Sequence, residues 1–461
     1  MSNTAFASLT LRPELVENLS SLDYTTMTPI QAQSLPLVLA GKDVIAQAKT
    51  GSGKTAAFGL GLLNRLEVKR FRVQSLVLCP TRELADQVAV EIRRLARGIH
   101  NIKVLTLCGG TPFGPQLGSL EHGAHIIVGT PGRVEEHLRK GSLKTADISC
   151  FVLDEADRML DMGFEETLDK IIAQLPKARQ NLLFSATYPE SIQAMAQRVL
   201  TNPVMITVDA SHDDHSIPEN FYRVDSNDDR RAALRLLLLE FQPESAVVFC
   251  NTRQEVKAVA EQLEKWGFSV LALHGDLEQR DRDEMLVRFS NKSATVLVAT
   301  DVAARGLDID NVAAVINYQV AHDPEVHTHR VGRTGRAGNS GLALTLFSQR
   351  EAHKVAGLNI SVDPLADAQR LPGQHTLQKE PPIPPMVTLQ IDGGKKQKLR
   401  PGDILGALTG DGGIDGKAVG KIQIFDNRSY LAVARNQVNP AFNKLSKGKL
   451  KGRNFRLRKI S

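Results

Sequence analysis

The stretch AKTGSGKT, residues 48–55, sits between the apolar run DVIAQA and a segment of helical spacing, and this placement leaves few folds open. Gly51 and Gly53 let backbone N–H groups close around an anion, and the helix that follows turns its positive end toward the same point. Lys54 can reach the β- and γ-phosphates of a nucleotide, and the Thr55 hydroxyl is placed to ligate Mg²⁺. The loop Ala48, Thr50, Gly51, Ser52, Gly53, Lys54 and Thr55 is therefore expected to hold a nucleoside triphosphate, although Ala48 stands where the usual pattern has Gly.

Apolar runs bounded by turn residues recur at SLVLCP, KVLTLC, HIIVGT, FVLDEA and NLLFSA, separated by segments of helical period such as RELADQVAVEIRRLA. The alternation predicts a mostly parallel sheet with helical crossovers. It restarts near residue 231 with RAALRLLLLEF and runs on through AVVFCN, SVLALHG, TVLVATD, AAVINYQ and LALTLFS. Two tandem α/β domains follow, over residues 1–210 and 218–362, with the polar DASHDDHSIPEN as a short linker between them. Residues 363–385, rich in Pro and polar side chains, are predicted to form a flexible extended tether with a reach of roughly 25 Å. Residues 386–461 read β-α-β-β-α-β, a small α+β domain of the RNA-recognition-motif type.

Charge separates these parts. Residues 386–461 hold 16 Lys or Arg against 5 Asp, whereas residues 1–385 hold 41 basic against 46 acidic residues. A net +11 on so short a domain points to nucleic acid as partner, with a solvated basic face as the alternative that charge alone leaves open. Cys79, Cys108, Cys150 and Cys250 stand singly and read as buried free thiols of a reducing compartment. No basic-plus-apolar leader and no apolar run of about 18 residues occurs, so a cytosolic protein without membrane attachment is expected.

The strand CFVLDEAD ends in carboxylates: Asp154 is placed to hold Mg²⁺, and Glu155 to orient and deprotonate the attacking water. Hydrolysis also needs positive charge at the γ-phosphate, and HRVGRTGR, residues 329–336, offers arginine-finger candidates in Arg333 and Arg336. Their position in the second domain implies catalysis by closure of the two domains.

Together these residues resemble the DEAD-box RNA helicases, whose name is spelled by residues 154–157, and the resemblance implies two RecA-like domains. Thr28-Pro-Ile-Gln31 resembles the adenine-reading motif, with Phe6 as stacking aromatic, which implies ATP; Asp308 joins the implied nucleotide contacts. Arg82, Gly109 with Gly110, Thr130 and Arg133 resemble the RNA-backbone loops of the first domain, and Arg253, Gly275, Arg282 and Thr300 those of the second. Asp157, Ser185, Thr187 and His329 resemble the positions that couple hydrolysis to unwinding. Asp23, where the family often has Gly, and YQVAHDPEVHTHR, which lacks the usual Tyr two before the His, depart from its pattern.

The run IDGGKKQKLRPGDILGALTG resembles the tail of the DbpA subgroup, which implies a hairpin of large-subunit (23S-type) ribosomal RNA as target. Lys395, Lys396, Lys398 and Arg400 would meet its phosphates, since the first tail strand has no aromatic and the third offers only Tyr430 for base stacking. The reading as a whole is a monomeric ATP- and Mg²⁺-dependent helicase that locally unwinds or remodels structured RNA during ribosome assembly. An ATP-binding RNA clamp with little turnover is the alternative.

Overall fold

The computed structural model describes residues 4–48, 51–208, 217–304, 312–335, 341–358 and 366–460. The chain divides near residue 214 into two compact units.

Among its described residues the first unit is built on seven strands: β1 (Val44–Gln47), β2 (Ser75–Leu78), β3 (Val104–Leu107), β4 (Ile126–Gly129), β5 (Cys150–Asp154), β6 (Gln180–Ser185) and β7 (Val204–Thr207). They pair in the order β3-β4-β2-β5-β6-β1-β7, all parallel. The strands read as near-continuous apolar runs because helices cover both faces. Alternate residues feed two cores: Val77, Cys150 and Val152 enter one, Leu76, Leu78, Phe151 and Leu153 the other. The sheet places β5 one strand away from β1, so the loop after β1 and the carboxylates ending β5 open at the same edge.

The second unit begins with a parallel sheet, β8 (Glu219–Val224), β9 (Ala246–Phe249), β10 (Val270–Leu273), β11 (Val296–Ala299), β12 (Ala314–Asn317) and β13 (Leu342–Ser348), ordered β10-β11-β9-β12-β13-β8. The edge strands β7 and β8 are additions to the sequence reading. β7 is apolar in sequence, Val-Met-Ile-Thr, yet three of its four residues are exposed, as suits a strand at the sheet's edge.

The tail forms an antiparallel sheet of β14 (Met386–Ile391), β15 (Val419–Ile424), β16 (Ser429–Ala434) and β17 (Leu457–Ile460), ordered β15-β16-β14-β17. Leu389 and Ile391 pack with Ile404 and Leu408 of helix Pro401–Thr409 and with Ala441 and Leu445 of helix Val438–Lys447. The period of two sends Thr388 and Gln390 to the opposite face, yet both are buried. Thr388 Oγ1 accepts from Asn291 Nδ2 at 3.2 Å and lies 2.6 Å from Ser293 Oγ, just past helix Gln279–Ser290. Lys421 Nζ donates to Ser290 Oγ at 2.8 Å. The sheet face on which such domains commonly stack bases is seated on the second helicase-like domain.

The described part of the expected tether, residues 366–385, runs as a strap instead. Gln369 N donates to Phe221 O at 2.7 Å, Lys379 Nζ pairs with Glu240 at 2.7 Å, and Gln242 Nε2 donates to Glu380 O at 3.1 Å. Arg435 Nε ties its far end, donating to Pro384 O at 2.7 Å. Proline and polar residues leave this segment little regular structure beyond the 3-10 turn Gln374–Gln378, and its carbonyls and side chains find partners on the neighbouring domain. The 25 Å reach expected of a free chain does not describe it.

Candidate functional site

Gly51 and Gly53 adopt φ of +82° and +92°, the left-handed region that glycine enters without strain. A Cβ on Gly53 would also lie 2.4 Å from Gln31 Nε2. Thr28 caps helix Pro29–Leu39 in a capping box with Gln31, whose Oε1 accepts from Thr28 N at 2.9 Å while Nε2 donates to Gly53 O at 3.1 Å. The expected base-reading glutamine is thereby tied to the phosphate loop. Phe6 is 4% exposed, its ring 6.1 Å from Tyr24.

Lys54 opens helix Lys54–Arg65 and donates from Nζ to Ala48 O at 2.7 Å. Burial lowers its pKa, opposed by the charges of Asp154, Glu155 and Asp157. Burial pushes Asp154 up to about 7 against the pull of Lys54. Ser52 Oγ is buried and finds no hydrogen-bond partner among the described residues. An orphaned hydroxyl, an ammonium and a desolvated carboxylate fit a triphosphate with Mg²⁺. That ion needs only one or two protein oxygens, which Asp154 and the half-buried Thr55 would be placed to supply.

Glu155 follows in a left-handed conformation, φ +54°. Its Oε2 accepts from Arg158 Nη1 at 2.8 Å, a pair buried to a few percent exposure on both sides. Asp157 Oδ2 accepts from Ala186 N, Thr187 N and Thr187 Oγ1 at 3.2, 3.0 and 3.0 Å, and Ser185 Oγ accepts from Asp157 N at 3.3 Å. The structure therefore brings the expected coupling residues of this unit together, because β5 and β6 are neighbours. Arg158 is a member of the cluster that sequence reading passed over.

Beyond β2, β3 and β4 the remaining loops of this unit gather. Arg82 starts helix Arg82–Leu95 and lies over Gly110, where a Cβ would come within 1.9 Å of Nη2. Arg82 Nε and Nη1 are buried without partners among the described residues, donors suited to a phosphate. Gly109 N donates to Thr130 Oγ1 at 3.4 Å, and Arg133 Nη1 to Thr111 O at 2.9 Å. Phe113, also unforeseen, stacks on His137 with centroids 4.1 Å apart, under the Lys140 ammonium.

In the second unit the arginines of residues 329–336 divide. Arg330 is 2% exposed and consumed by structure: it holds Asp301 through Nε and Nη2 at 2.6 and 2.7 Å, and reaches Asn251 Oδ1 at 2.8 Å and Gln319 O at 2.7 Å. Arg333 is buried one turn on, and His329 is half-buried on helix Pro324–Val331. Arg336, Asp308 and Thr50 lie outside the described residues. Arg282 Nη2 donates to Ala303 O at 2.7 Å, Thr300 Oγ1 accepts from Ala303 N at 3.3 Å, and Arg253 pairs with Asp276 next to Gly275. The departures have local reasons. Asp23 sits at φ +59°, a position that suits Gly, and His327 replaces the usual Tyr by bonding Glu219 Oε2 through Nε2 at 2.7 Å.

In the tail, Lys395 N and Lys396 N donate to Phe425 O and Asp426 O at 2.8 and 2.9 Å. The backbone is pinned while the side chains of Lys395, Lys396, Lys398 and Arg400 remain exposed. Lys451 Nζ donates to Lys398 O at 2.7 Å, which joins the second basic segment, residues 447–459, to this loop. Tyr430 is 2% exposed, edge-on to Phe425.

Comparisons with known proteins reproduce this order of parts. Residues 28–195 match the DEAD/DEAH box helicase family, 229–338 the helicase conserved C-terminal domain and 388–459 the DbpA RNA binding domain. The chain is 53% identical over 459 residues to ATP-dependent RNA helicase DbpA of Escherichia coli, spanning 99% of both. It is 42% identical over 350 residues to DEAD-box ATP-dependent RNA helicase CshA of Geobacillus kaustophilus, spanning 76% of this chain and 74% of that one. A solved structure of S. cerevisiae Dbp5 bound to RNA and ADP BeF3 is similar with a TM-score of 0.70 at 28% identity, covering 80% of this chain and 95% of the other.

Proposed function

Because the chain belongs to the DEAD-box ATP-dependent RNA helicases and carries the DbpA-type RNA-binding domain, we propose that it locally remodels large-subunit ribosomal RNA during ribosome assembly, as a cytoplasmic monomer. The observation that carries this reading is the pinned loop whose Lys395, Lys396, Lys398 and Arg400 side chains all face solvent. Carried on a backbone held in one arrangement, these side chains suit the phosphates of a folded hairpin better than those of a mobile chain would. The covered sheet and buried Tyr430 speak against base stacking as the grip.

Chemistry follows from the first unit. Lys54, Ser52 and the amides of the phosphate loop bind and orient the triphosphate, while Gln31 and Phe6 serve the adenine. Thr55 and Asp154 would hold Mg²⁺, which would supply positive charge to offset the negative charge developing on the phosphate groups. Water attacks the γ-phosphorus as Glu155 takes its proton; the bond from phosphorus to the bridging oxygen breaks, and its electron pair leaves with ADP. Arg333 and Arg336 neutralise the developing charge from the second domain, so turnover requires closure. Asp157 passes the state of the site to the Ser185–Thr187 loop through its hydrogen bonds.

The test is ATPase stimulation by intact large-subunit rRNA, small-subunit rRNA and generic duplexes. Replacing Lys395, Lys396 and Lys398 together by Ala should remove a preference for the first while leaving stimulation by the last. Equal stimulation of the unmodified protein by all three RNAs would reject the ribosomal reading.

A further inference from the structure

We infer that Arg158 is the positioning residue of the hydrolytic carboxylate, fixing Glu155 so that one oxygen faces the water. The inference rests on the reading of Glu155 as the base. Arg158 Nη1 meets Oε2 at 2.8 Å, with the two side chains 4% and 6% exposed. Among the described residues Glu155 makes no other side-chain hydrogen bond, so Oε1 is the oxygen left to accept a proton.

The need for such a brace is local. Glu155 begins helix Ala156–Asp161 from a left-handed backbone, and a short helix start gives a long carboxylate few intrinsic restraints. Its charged surroundings are mostly acidic: Asp154 and Asp157 lie on the same segment, with Lys54 the cation contributed by the phosphate loop. Lys54 is already committed to Ala48 O and has the triphosphate to bind. Arg158 is the cation one helical turn on, at i+3 from Glu155, where a guanidinium reaches back along the same face. Its own amide donates to Asp157 Oδ1 at 3.0 Å, so the brace stands on the carboxylate that holds the Ser185–Thr187 loop. A planar guanidinium holds a carboxylate in orientation as well as in place, which a point charge does not.

The full-length protein with a generic RNA duplex provides the test. Arg158→Gln should lower kcat by about tenfold or more while KM for ATP stays within about twofold, the pattern of a lost transition-state interaction. Arg158→Lys should restore part of that loss. In a double-mutant cycle, Glu155→Gln with Arg158→Gln should turn over no more slowly than Glu155→Gln alone, because the brace has nothing left to position. A fluorescent ATP analogue and thermal melting establish that each variant is folded. If Arg158→Gln does not fold, Arg158→Lys decides alone, with a lowered kcat at unchanged KM supporting the role and an unchanged kcat overturning it. Wild-type kcat in a folded Arg158→Gln, or multiplicative losses in the cycle, would also overturn it. Near-normal turnover by Glu155→Gln would instead reject the assignment of the base itself, a separate failure.

Discussion

Thr388 of the tail and Ser293 of the second helicase domain share a buried hydrogen bond of 2.6 Å, and Asn291 Nδ2 adds a third polar group to the same spot. Thr388→Val removes the hydroxyl but not the volume, so both partners lose a bond in a place water does not reach. The expected loss is about 1–3 kcal/mol. Trp266, the single tryptophan, packs against the core of the second domain, so urea unfolding followed by its fluorescence should show the lowered midpoint.

Lys54 and Glu155 should separate kinetically. On the proposed mechanism Lys54 contacts the phosphates before and during reaction, so Lys54→Ala should weaken ATP binding and turnover together. Glu155→Gln should keep ATP and RNA while lowering kcat by about a hundredfold or more. Nucleotide affinity by fluorescence titration, beside steady-state ATPase rates, distinguishes the two.

Gly110→Ala should imitate Arg82→Ala. The new Cβ would displace the guanidinium lying 1.9 Å away, and φ of +68° adds backbone strain. Both variants should weaken RNA binding, and Arg82→Ala should reduce the salt slope of log Kd by about one. ATP affinity without RNA should not change.

Asp154 gives the ligand-free protein a pH signature. Its carboxyl is raised to about 7 from 3.8, so the folded state holds a proton that the unfolded state releases. Its favourable contribution is full below about 3.8 and is lost as pH rises toward about 7, at no more than about 1.4 kcal/mol per pH unit. His137, lowered to about 4, acts in the opposite direction, since its contribution is present above about 6.5 and lost on acidification. Asp154→Asn should therefore raise the melting temperature relative to the unmodified protein at pH 8 and lose that advantage at pH 4.5. Binding of magnesium ATP near pH 7 should release a proton, readable by calorimetry in buffers of different ionisation enthalpy.

What sequence made legible was whatever local pattern encodes. Ile45, Leu76 and Phe151 announce buried strands by their neighbours alone, and Gly51 and Gly53 announce the loop between strand and helix. The short edge strand β7 is just as apolar, Val-Met-Ile-Thr, and its letters do not show that it lies at the edge with three of its four residues exposed. Nor does the strap: Lys379 is an unremarkable surface lysine until Glu240 is known to lie beside it, 139 residues earlier. Arg330 and Arg333 look alike as letters, and only the convergence of Asp301, Asn251 and Gln319 shows that the first is structural. Arg158 was hidden in the same way, as an ordinary helix-face residue following four more conspicuous ones.

The seated tail also limits how such helicases can be rebuilt. A designer who grafted residues 386–461 onto another motor would move the basic loop but leave Asn291, Ser293 and Ser290 behind, and Thr388 would arrive at a surface with nothing to meet it. The transplantable cassette is larger than the RNA-binding domain: it includes the turn after helix Gln279–Ser290 and the strap that docks on Glu240. Exchange of target between motors should succeed when that whole block travels together and falter when the domain travels alone.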